Sequence, residues 1–471
     1  MNYEKIGFKC GIEIHQQLEG KKLFCNCPSE IRKDKPDFKF ERRLRASAGE
    51  SGNVDIAASH EHKKNKLFIY NGYEDSTCLV EMDEEPPSFV NKNSLKTTLQ
   101  IAKMLNCRIV DKIQFMRKTV VDGSNTSGFQ RTALIGRNGF VEVNGKKIGV
   151  STVCLEEEAC QLVKRTKNHD TYNISRLGIS LIEIATDPDM KTPEECREVA
   201  AKIGMILRST GTCKRGIGSI RQDVNISIKK GARTEIKGFQ DLKSIPKVVD
   251  KEIKRQQNLI KKKKKINKEV RKAEPDFTTS FLRPLPGASR MYPETDVPTI
   301  IPEMKNFKAI ETHDEKITRY KKSYCLNDDF AKLAVKYECK EGINFENHFK
   351  KYKDKNFIVE LFTSIPKELK KRYGIIIDVK NLAEKVLSKV DTCEISKGVV
   401  VELLADYGKT KKLNFGKFKA VSSNKLEEEI KNIVEKNKGV SIGALMGIIM
   451  NQFRGNVDGK KVMTLLKKHL K

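Results

Sequence analysis

The chain has no Trp and only 7% aromatic residues, and its 62 Asp and Glu are outnumbered by 91 Lys and Arg. It also lacks a long apolar run. The stretch from Gly439 to Met450 is interrupted by Ser441 and falls well short of the roughly 20 residues that cross a bilayer. The first ten residues carry Glu4, Lys5 and Lys9 without an apolar segment, which predicts no signal peptide, no membrane partner and a cytoplasmic location. Its 12 Cys are scattered, and without a secretory signal they read as free thiols in a reducing compartment. Cys25 and Cys27 are the one tight pair; the second paired cluster of a zinc ribbon is missing, although Cys78 offers a third sulfur. No GxxxxGK[ST] run occurs, which excludes a P-loop kinase. Apart from His15, the histidines (His60, His62, His169, His313, His348, His469) have no matching Ser or Cys motif, which argues against a hydrolase triad.

What is present points elsewhere. A length of 471 residues with 38% hydrophobic content suggests about three domains with real cores. The formal charge of +29 predicts a polyanionic partner, nucleic acid first. Up to about Pro302 the chain alternates apolar and polar residues, as in Ile12-Glu13-Ile14-His15, Leu181-Ile182-Glu183-Ile184 and Asp223-Val224-Asn225-Ile226. This period of two predicts strands covered on one face, with helices from Pro193 (N-cap Thr192) and from Ile245 to Lys264. The run Lys261 to Lys265 reads as a solvated helix end or linker. After Pro302 the spacing turns helical, and from Lys411 onward 14 basic residues face 5 acidic ones, the profile of an RNA-contacting module.

With acids in the minority, their positions are informative. Glu13 and His15 share a strand face, Glu183 stands opposite an apolar face, and Asp223, Asn225 and Ser227 form another polar row. Glu235 and Lys237 repeat the pattern, and Glu156, Glu157 and Glu158 gather three carboxylates. If these strands share one sheet, its polar face collects oxygen donors and an imidazole, which favours Mg²⁺ before Zn²⁺ and phosphate chemistry. The loop Gly123 to Gly128 offers Ser124, Asn125 and Ser127 to a phosphate, with Arg117 or Arg131 for charge.

Seven long motifs occur in order: Gly11–Leu18 (GIEIHQQL), Lys22–Cys27 (KLFCNC), Asp122–Thr132 (DGSNTSGFQRT), Cys154–Cys160 (CLEEEAC), Arg176–Asp189 (RLGISLIEIATDPD), Gly218–Ile228 (GSIRQDVNISI) and Leu282–Asp296 (LRPLPGASRMYPETD). On these the chain resembles the family formed by the B and E subunits of glutamyl-tRNA(Gln) amidotransferase, in its archaeal, E-type form. The resemblance implies an α+β fold: an antiparallel-sheet cradle domain over 1–300, an all-helical domain over 301–410, and a small helical tail (YqeY-like, tRNA-contacting) over 411–471. It implies ATP-dependent phosphorylation of the γ-carboxylate of Glu-tRNA(Gln), then amidation by ammonia. The cofactors implied are ATP and Mg²⁺. The partners implied are an asparaginase-like D-type subunit that supplies ammonia and Glu-tRNA(Gln), in a heterotetramer of two D and two E subunits. By the same likeness His15, Glu157 and Glu183 match one Mg²⁺ site, Glu13 and Asp223 match a second, and all five are expected to be catalytic. Arg117, Ser124, Asn125, Ser127, Arg131 and Lys237 are the residues expected at ATP or substrate.

Two departures stand out. The domain that archaeal members usually insert near 265–276, similar to one in aspartyl-tRNA synthetases, is missing, and in that respect the chain looks like the B-type members. B-type members often bear a four-Cys zinc knuckle, whereas here only Cys25 and Cys27 are in position, which predicts no zinc. The B-type component of the heterotrimeric amidotransferase, a catalytically silent tRNA scaffold and a two-metal nuclease are the competing readings.

Overall fold

A computed structural model describes residues 2–46, 52–239, 241–285, 291–304, 307, 310–418, 423–437, 439–453 and 459–469. The 286–290 portion of the Leu282–Asp296 motif lies outside them. The chain divides into two compact units, Met1–Thr312 and His313–Lys471.

The first unit is built on an 11-stranded sheet. Its path runs Thr279–Pro284, Glu269–Ala273, Thr234–Phe239, Ile220–Ser227, Lys9–Gln17, Ser180–Thr186, Lys146–Glu157, Phe129–Val143, Phe115–Thr119 and Met291–Pro293. Arg108–Ile109 pairs off this path. Neighbours are antiparallel except Thr234–Phe239 against Glu269–Ala273, which run parallel, so the sheet is mixed. The period of two sorts the faces as the sequence predicts. Ile12, Ile14, Ile182, Ile184, Val224, Ile226 and Ile236 are buried together with the apolar sides of helices Lys92–Met104, Pro193–Ser209 and Ile245–Lys261. Thr192 caps the second of these by accepting from the Glu195 amide. The third stops at Lys261 rather than at Lys264, and Lys263 turns into the left-handed region (φ 52°), since adjacent ammonium groups repel within a helical turn.

A second, four-stranded sheet (Phe38–Arg42, Leu67–Gly72, His169–Asn173, Gln161–Arg165) has its own core of Phe68, Tyr70, Cys160, Tyr172, Ile174 and Leu177. It holds the predicted phosphate loop. The Tyr70 and Tyr172 hydroxyls donate to the carbonyls of Gly123 (2.9 Å) and Asp122 (2.7 Å). Gly123 has φ 88°, and a Cβ there would meet the Phe68 ring at 2.2 Å, so no other residue fits.

The second unit is helical. One core gathers Tyr320, Phe345, Phe349, Phe357, Leu361, Leu387 and Leu403, and Leu413, Phe415 and Phe418 pack against it. A separate cluster of Leu426, Ile430, Ile433, Leu445, Ile449, Val462 and Leu466 joins the three helices Ser423–Lys436, Ile442–Phe453 and Gly459–His469. No helix among the described residues is long and apolar enough to cross a membrane.

Candidate active site and a thiol cluster

Strand register brings the acidic residues together on the polar face of the large sheet. His15 pairs with Glu183 on one side and Arg221 on the other, and Glu13 pairs with Asp223. Directly paired residues point to the same face. The result is a cavity of ≈ 670 Å³ whose lining includes Glu13, His15, Lys118, Glu156, Glu183, Arg221, Asp223, Glu235 and Lys237, with Asp122, Ser124 and Asn125 from the Gly123 loop.

The contacts are short. His15 Nε2 lies 3.2 Å from Glu183 Oε2, and its Nδ1 lies 4.0 Å from Asp223 Oδ2. Lys118 Nζ donates to Glu156 at 2.7 Å and lies 3.5 Å from Glu183. Lys237 Nζ donates to Asp223 (2.6 Å) and sits 2.5 Å from Glu235. Glu156 also accepts from Thr132 Oγ1 (2.6 Å) and Gln130 Nε2 (3.1 Å). Arg221 grips Glu158 with two bonds of 2.7 and 2.8 Å, and Gln17 donates to the same carboxylate at 2.9 Å.

Electrostatics separates the acids. Burial, with Glu183 and Glu235 nearby, pushes Glu13 up to about 7. Burial also works against ionised Glu183, but Lys118 and the His15 hydrogen bond outweigh it and hold that carboxyl well below the usual range. Asp223 is likewise lowered: burial opposes, and Lys237 and His15 prevail. Burial disfavours a charged His15, yet its bond to Glu183 raises it overall. Glu158, buried against Arg221, drops to about 2.

Not every expected residue reaches this cavity. Glu157 follows Glu156 on one strand and therefore points to the opposite face. There its Oε1 accepts from the Arg131 amide (2.9 Å) and lies 3.3 Å from that guanidinium. The grouping expected from sequence, His15 with Glu157 and Glu183, is corrected by one position: the ligand atoms that converge to within 4.8 Å belong to His15, Glu156 and Glu183. Arg117 and Arg131 share the Glu157 face and clamp buried Glu294 at 2.7 and 2.8 Å, so neither lines the cavity. Ser127 turns to its own strand, donating to the Phe129 carbonyl. Ser124, Asn125 and Lys237 do line the cavity, and Glu13 with Asp223 converges on His15 in a second group. Sequence reading missed Lys118 and Arg221. Their signal was parity: Lys118 pairs with Gln130, and Arg221 with His15.

The donor set fits a divalent cation. Seven carboxyl groups, one imidazole and five lysine and arginine side chains line the cavity, and the converging oxygen and imidazole donors are those a divalent cation takes, set among carboxylate charge. The ammonium groups of Lys118 and Lys237 already satisfy part of that charge.

A second cluster lies apart from this cavity. Cys25, Cys27, Cys78 and Glu81 bring their ligand atoms within 4.8 Å of one another, so Cys78 does supply a third sulfur, and Glu81 adds a fourth donor that the expectation of no zinc left out. The Cys25 thiol donates to Glu81 (2.8 Å), whose other oxygen accepts from the Cys78 amide (2.8 Å). Hydrogen bonds from Cys25 and Cys27 hold the Cys78 thiol far below its ordinary range, whereas at Cys27 the bond to Cys25 lowers the thiol but the bond to Cys78, burial and nearby Glu81 outweigh it and push it up to about 12. Buried Lys22 stands 3.6 Å from Glu81. Three sulfurs and a carboxylate suit tetrahedral zinc.

Residues 8–308 match the GatB/GatE catalytic domain family. The whole chain also aligns with proteins named as the E subunit of glutamyl-tRNA(Gln) amidotransferase. Identity is 34% with one from Methanococcus maripaludis, 35% with one from Archaeoglobus fulgidus and 35% with one from Methanocaldococcus jannaschii. Each alignment covers 100% of this chain and 99% of the relative. In the first, 159 of the 630 aligned positions have no residue in this 471-residue chain.

Proposed function

The chain belongs to the GatB/GatE family, and from that premise we propose that its acidic cavity activates the γ-carboxylate of glutamate carried on tRNA(Gln) and converts it to the amide. The observation that carries this reading is the convergence of His15, Glu156 and Glu183 with Glu13 and Asp223 beside the Ser124–Asn125 loop.

A carboxylate resists ammonia because its charge repels a nucleophile and oxide is a poor leaving group. In the first step a γ-carboxylate oxygen attacks the γ-phosphorus of ATP, the bond to the β–γ bridging oxygen breaks, and ADP leaves. In the second, the nitrogen of ammonia attacks the acyl carbon, the carbon–oxygen bond to phosphate breaks, and a carboxylate of the cavity takes the nitrogen's proton. Lys118 and Lys237 offset charge that builds on the phosphoryl oxygens, and Arg221, fixed by Glu158, keeps that flank cationic. Magnesium held by His15, Glu156 and Glu183, or by Glu13, His15 and Asp223, would screen the repulsion between ATP and the glutamyl carboxylate. Ammonia comes from a separate amidase, expected to be asparaginase-like and joined in a heterotetramer of two D and two E subunits.

The test uses the full-length chain with mischarged Glu-tRNA(Gln), ATP, magnesium and hydroxylamine, which captures an acyl phosphate as the hydroxamate. ATP-dependent γ-glutamyl hydroxamate on the tRNA is the expected product. Intact tRNA binding with no hydroxamate would favour the silent-scaffold reading, and cleaved tRNA the nuclease.

A further inference from the structure

The edge of the large sheet carries a charge feature that the cavity does not use. Between Lys247 and Lys272 the sequence has 12 basic and 3 acidic residues. The fold separates them. Asp250 accepts from the Tyr3 hydroxyl (2.7 Å), Glu252 is buried against Arg255 and Thr279, and Glu269 bridges Arg255 and Arg271. All three acids are thus spent on internal contacts. The lysines face outward: Lys247, Lys251, Lys254, Lys261, Lys262, Lys263, Lys264, Lys265, Lys268 and Lys272 are all exposed. Among the described residues, Lys254, the five from Lys261 to Lys265, and Lys268 form no ion pair.

Their spacing is regular. Lys247, Lys251, Lys254 and Lys261 stand at i, i+4, i+7 and i+14 of helix Ile245–Lys261, hence on one stripe. At 1.5 Å per residue the stripe is about 21 Å long, and the Lys262–Lys265 run extends it beyond the helix. Lysines in a last helical turn are favoured by the helix dipole, but that effect fades within one turn and leaves the later four unexplained. Clustered like charges without partners repel, so the arrangement gains most when a polyanion covers it. The chain then enters strand Glu269–Ala273, whose Val270 pairs with cavity residue Glu235. Because helix Ile245–Lys261 packs on the apolar face of the sheet, the stripe lies across the sheet from the cavity, and the Lys262–Lys268 run leads from it to the strand that pairs with Glu235.

We propose that this lysine edge, Lys254 to Lys268, is an RNA-contact surface that grips the sugar–phosphate backbone of the tRNA body while the aminoacyl end occupies the cavity. The proposal rests on the function proposed above. It also gives a phosphate-binding surface to a chain that lacks 159 of the positions aligned with the Methanococcus maripaludis relative.

The experiment compares two triple variants of equal charge in the full-length chain: Lys262→Gln/Lys263→Gln/Lys264→Gln, and Lys39→Gln/Lys164→Gln/Lys167→Gln at exposed positions on the small-sheet side. Binding of uncharged tRNA is titrated between 50 and 300 mM salt. Each lost phosphate contact lowers the slope of log K against log salt by roughly 0.7–0.9. The edge variant should lose about 2 in slope and bind roughly tenfold more weakly, while the comparison variant matches wild type. In the hydroxamate assay the edge variant should raise KM for Glu-tRNA and keep kcat. Equal weakening in both variants, or an unchanged slope in the edge variant, overturns the proposal. So does loss of binding to vesicles containing phosphatidylserine with tRNA binding intact, which would assign the edge to membrane lipid. If wild type makes no hydroxamate yet the slopes still differ, the catalytic reading fails and the RNA edge stands.

Discussion

Replacing Glu156 by Gln removes a carboxylate from the His15–Glu183 group and takes the 2.7 Å ionic partner from Lys118. Hydroxamate formation should fall by at least about 100-fold, and because Glu156 is buried and bonded to Lys118, Thr132 and Gln130, some stability goes with it. Glu157→Gln should cost stability and spare the rate. Its partner Arg131 is buried, so weakening that bond costs about 1–3 kcal/mol of stability while the rate at saturating substrate changes much less. Thermal melts and trapping assays on the two variants separate the roles. This is also where sequence reading meets its limit. Three glutamates in a row offer two to one face and one to the other, and only the pairing of Glu156 with Leu181 and of Glu157 with Ser180 says which. Glu13 and Glu183 were legible because each stands between two isoleucines, and His15 and Asp223 because each alternates with an apolar residue of the same strand.

At the scale of elements, the strands were readable from alternation, but contacts between distant segments were not. Glu294 is an example. It is fully buried and accepts from Arg117 on one strand and Arg131 on the next, which fastens the Met291–Pro293 edge to the sheet. Burial raises its carboxyl, and the hydrogen bond from Arg117, the Asp296 amide and the charge of Arg131 bring it below the ordinary value. A depressed carboxylate stabilises the fold above its unfolded pKa of about 4.3, and that contribution is lost as pH falls through the lower folded value. Glu294→Gln should therefore melt earlier than wild type at pH 7, and the two melting curves should converge toward pH 3. The thiol cluster teaches the same point. Cys25 and Cys78 are too far apart in the chain for spacing to pair them, and Glu81, which completes the set, carries no cysteine signature. Elemental analysis of the purified chain should find one zinc per chain. Cys78→Ser should lose it and lower the melting temperature, while metal-free preparations of wild type show the same shift.

At the scale of the whole molecule, the two units and their cores decide where the chain can be cut. Composition suggests a boundary near residue 410, because the basic surplus begins there. Packing argues for a later one: Leu413, Phe415 and Phe418 lie against the core of the preceding helices, whereas the cluster of Leu426, Ile430, Leu445, Val462 and Leu466 closes on itself. Charge patterning cannot reveal this, since Lys411, Lys412 and Lys417 sit among the three apolar anchors. A chain ending at residue 418 keeps those anchors and should melt as wild type does. One ending at 410 removes them, and losing even partial burial of a Leu and two Phe at roughly 1.5–3 kcal/mol for each full burial should lower the melting temperature by several degrees. Both versions retain the cavity residues and the lysine edge. If the tail contributes RNA contacts of its own, the 418 version should bind tRNA with a shallower salt dependence and still make hydroxamate at a wild-type rate once tRNA saturates. A 418 version that melts as early as the 410 version would show that the tail cluster supports the rest of the unit, and the boundary would have to be drawn elsewhere.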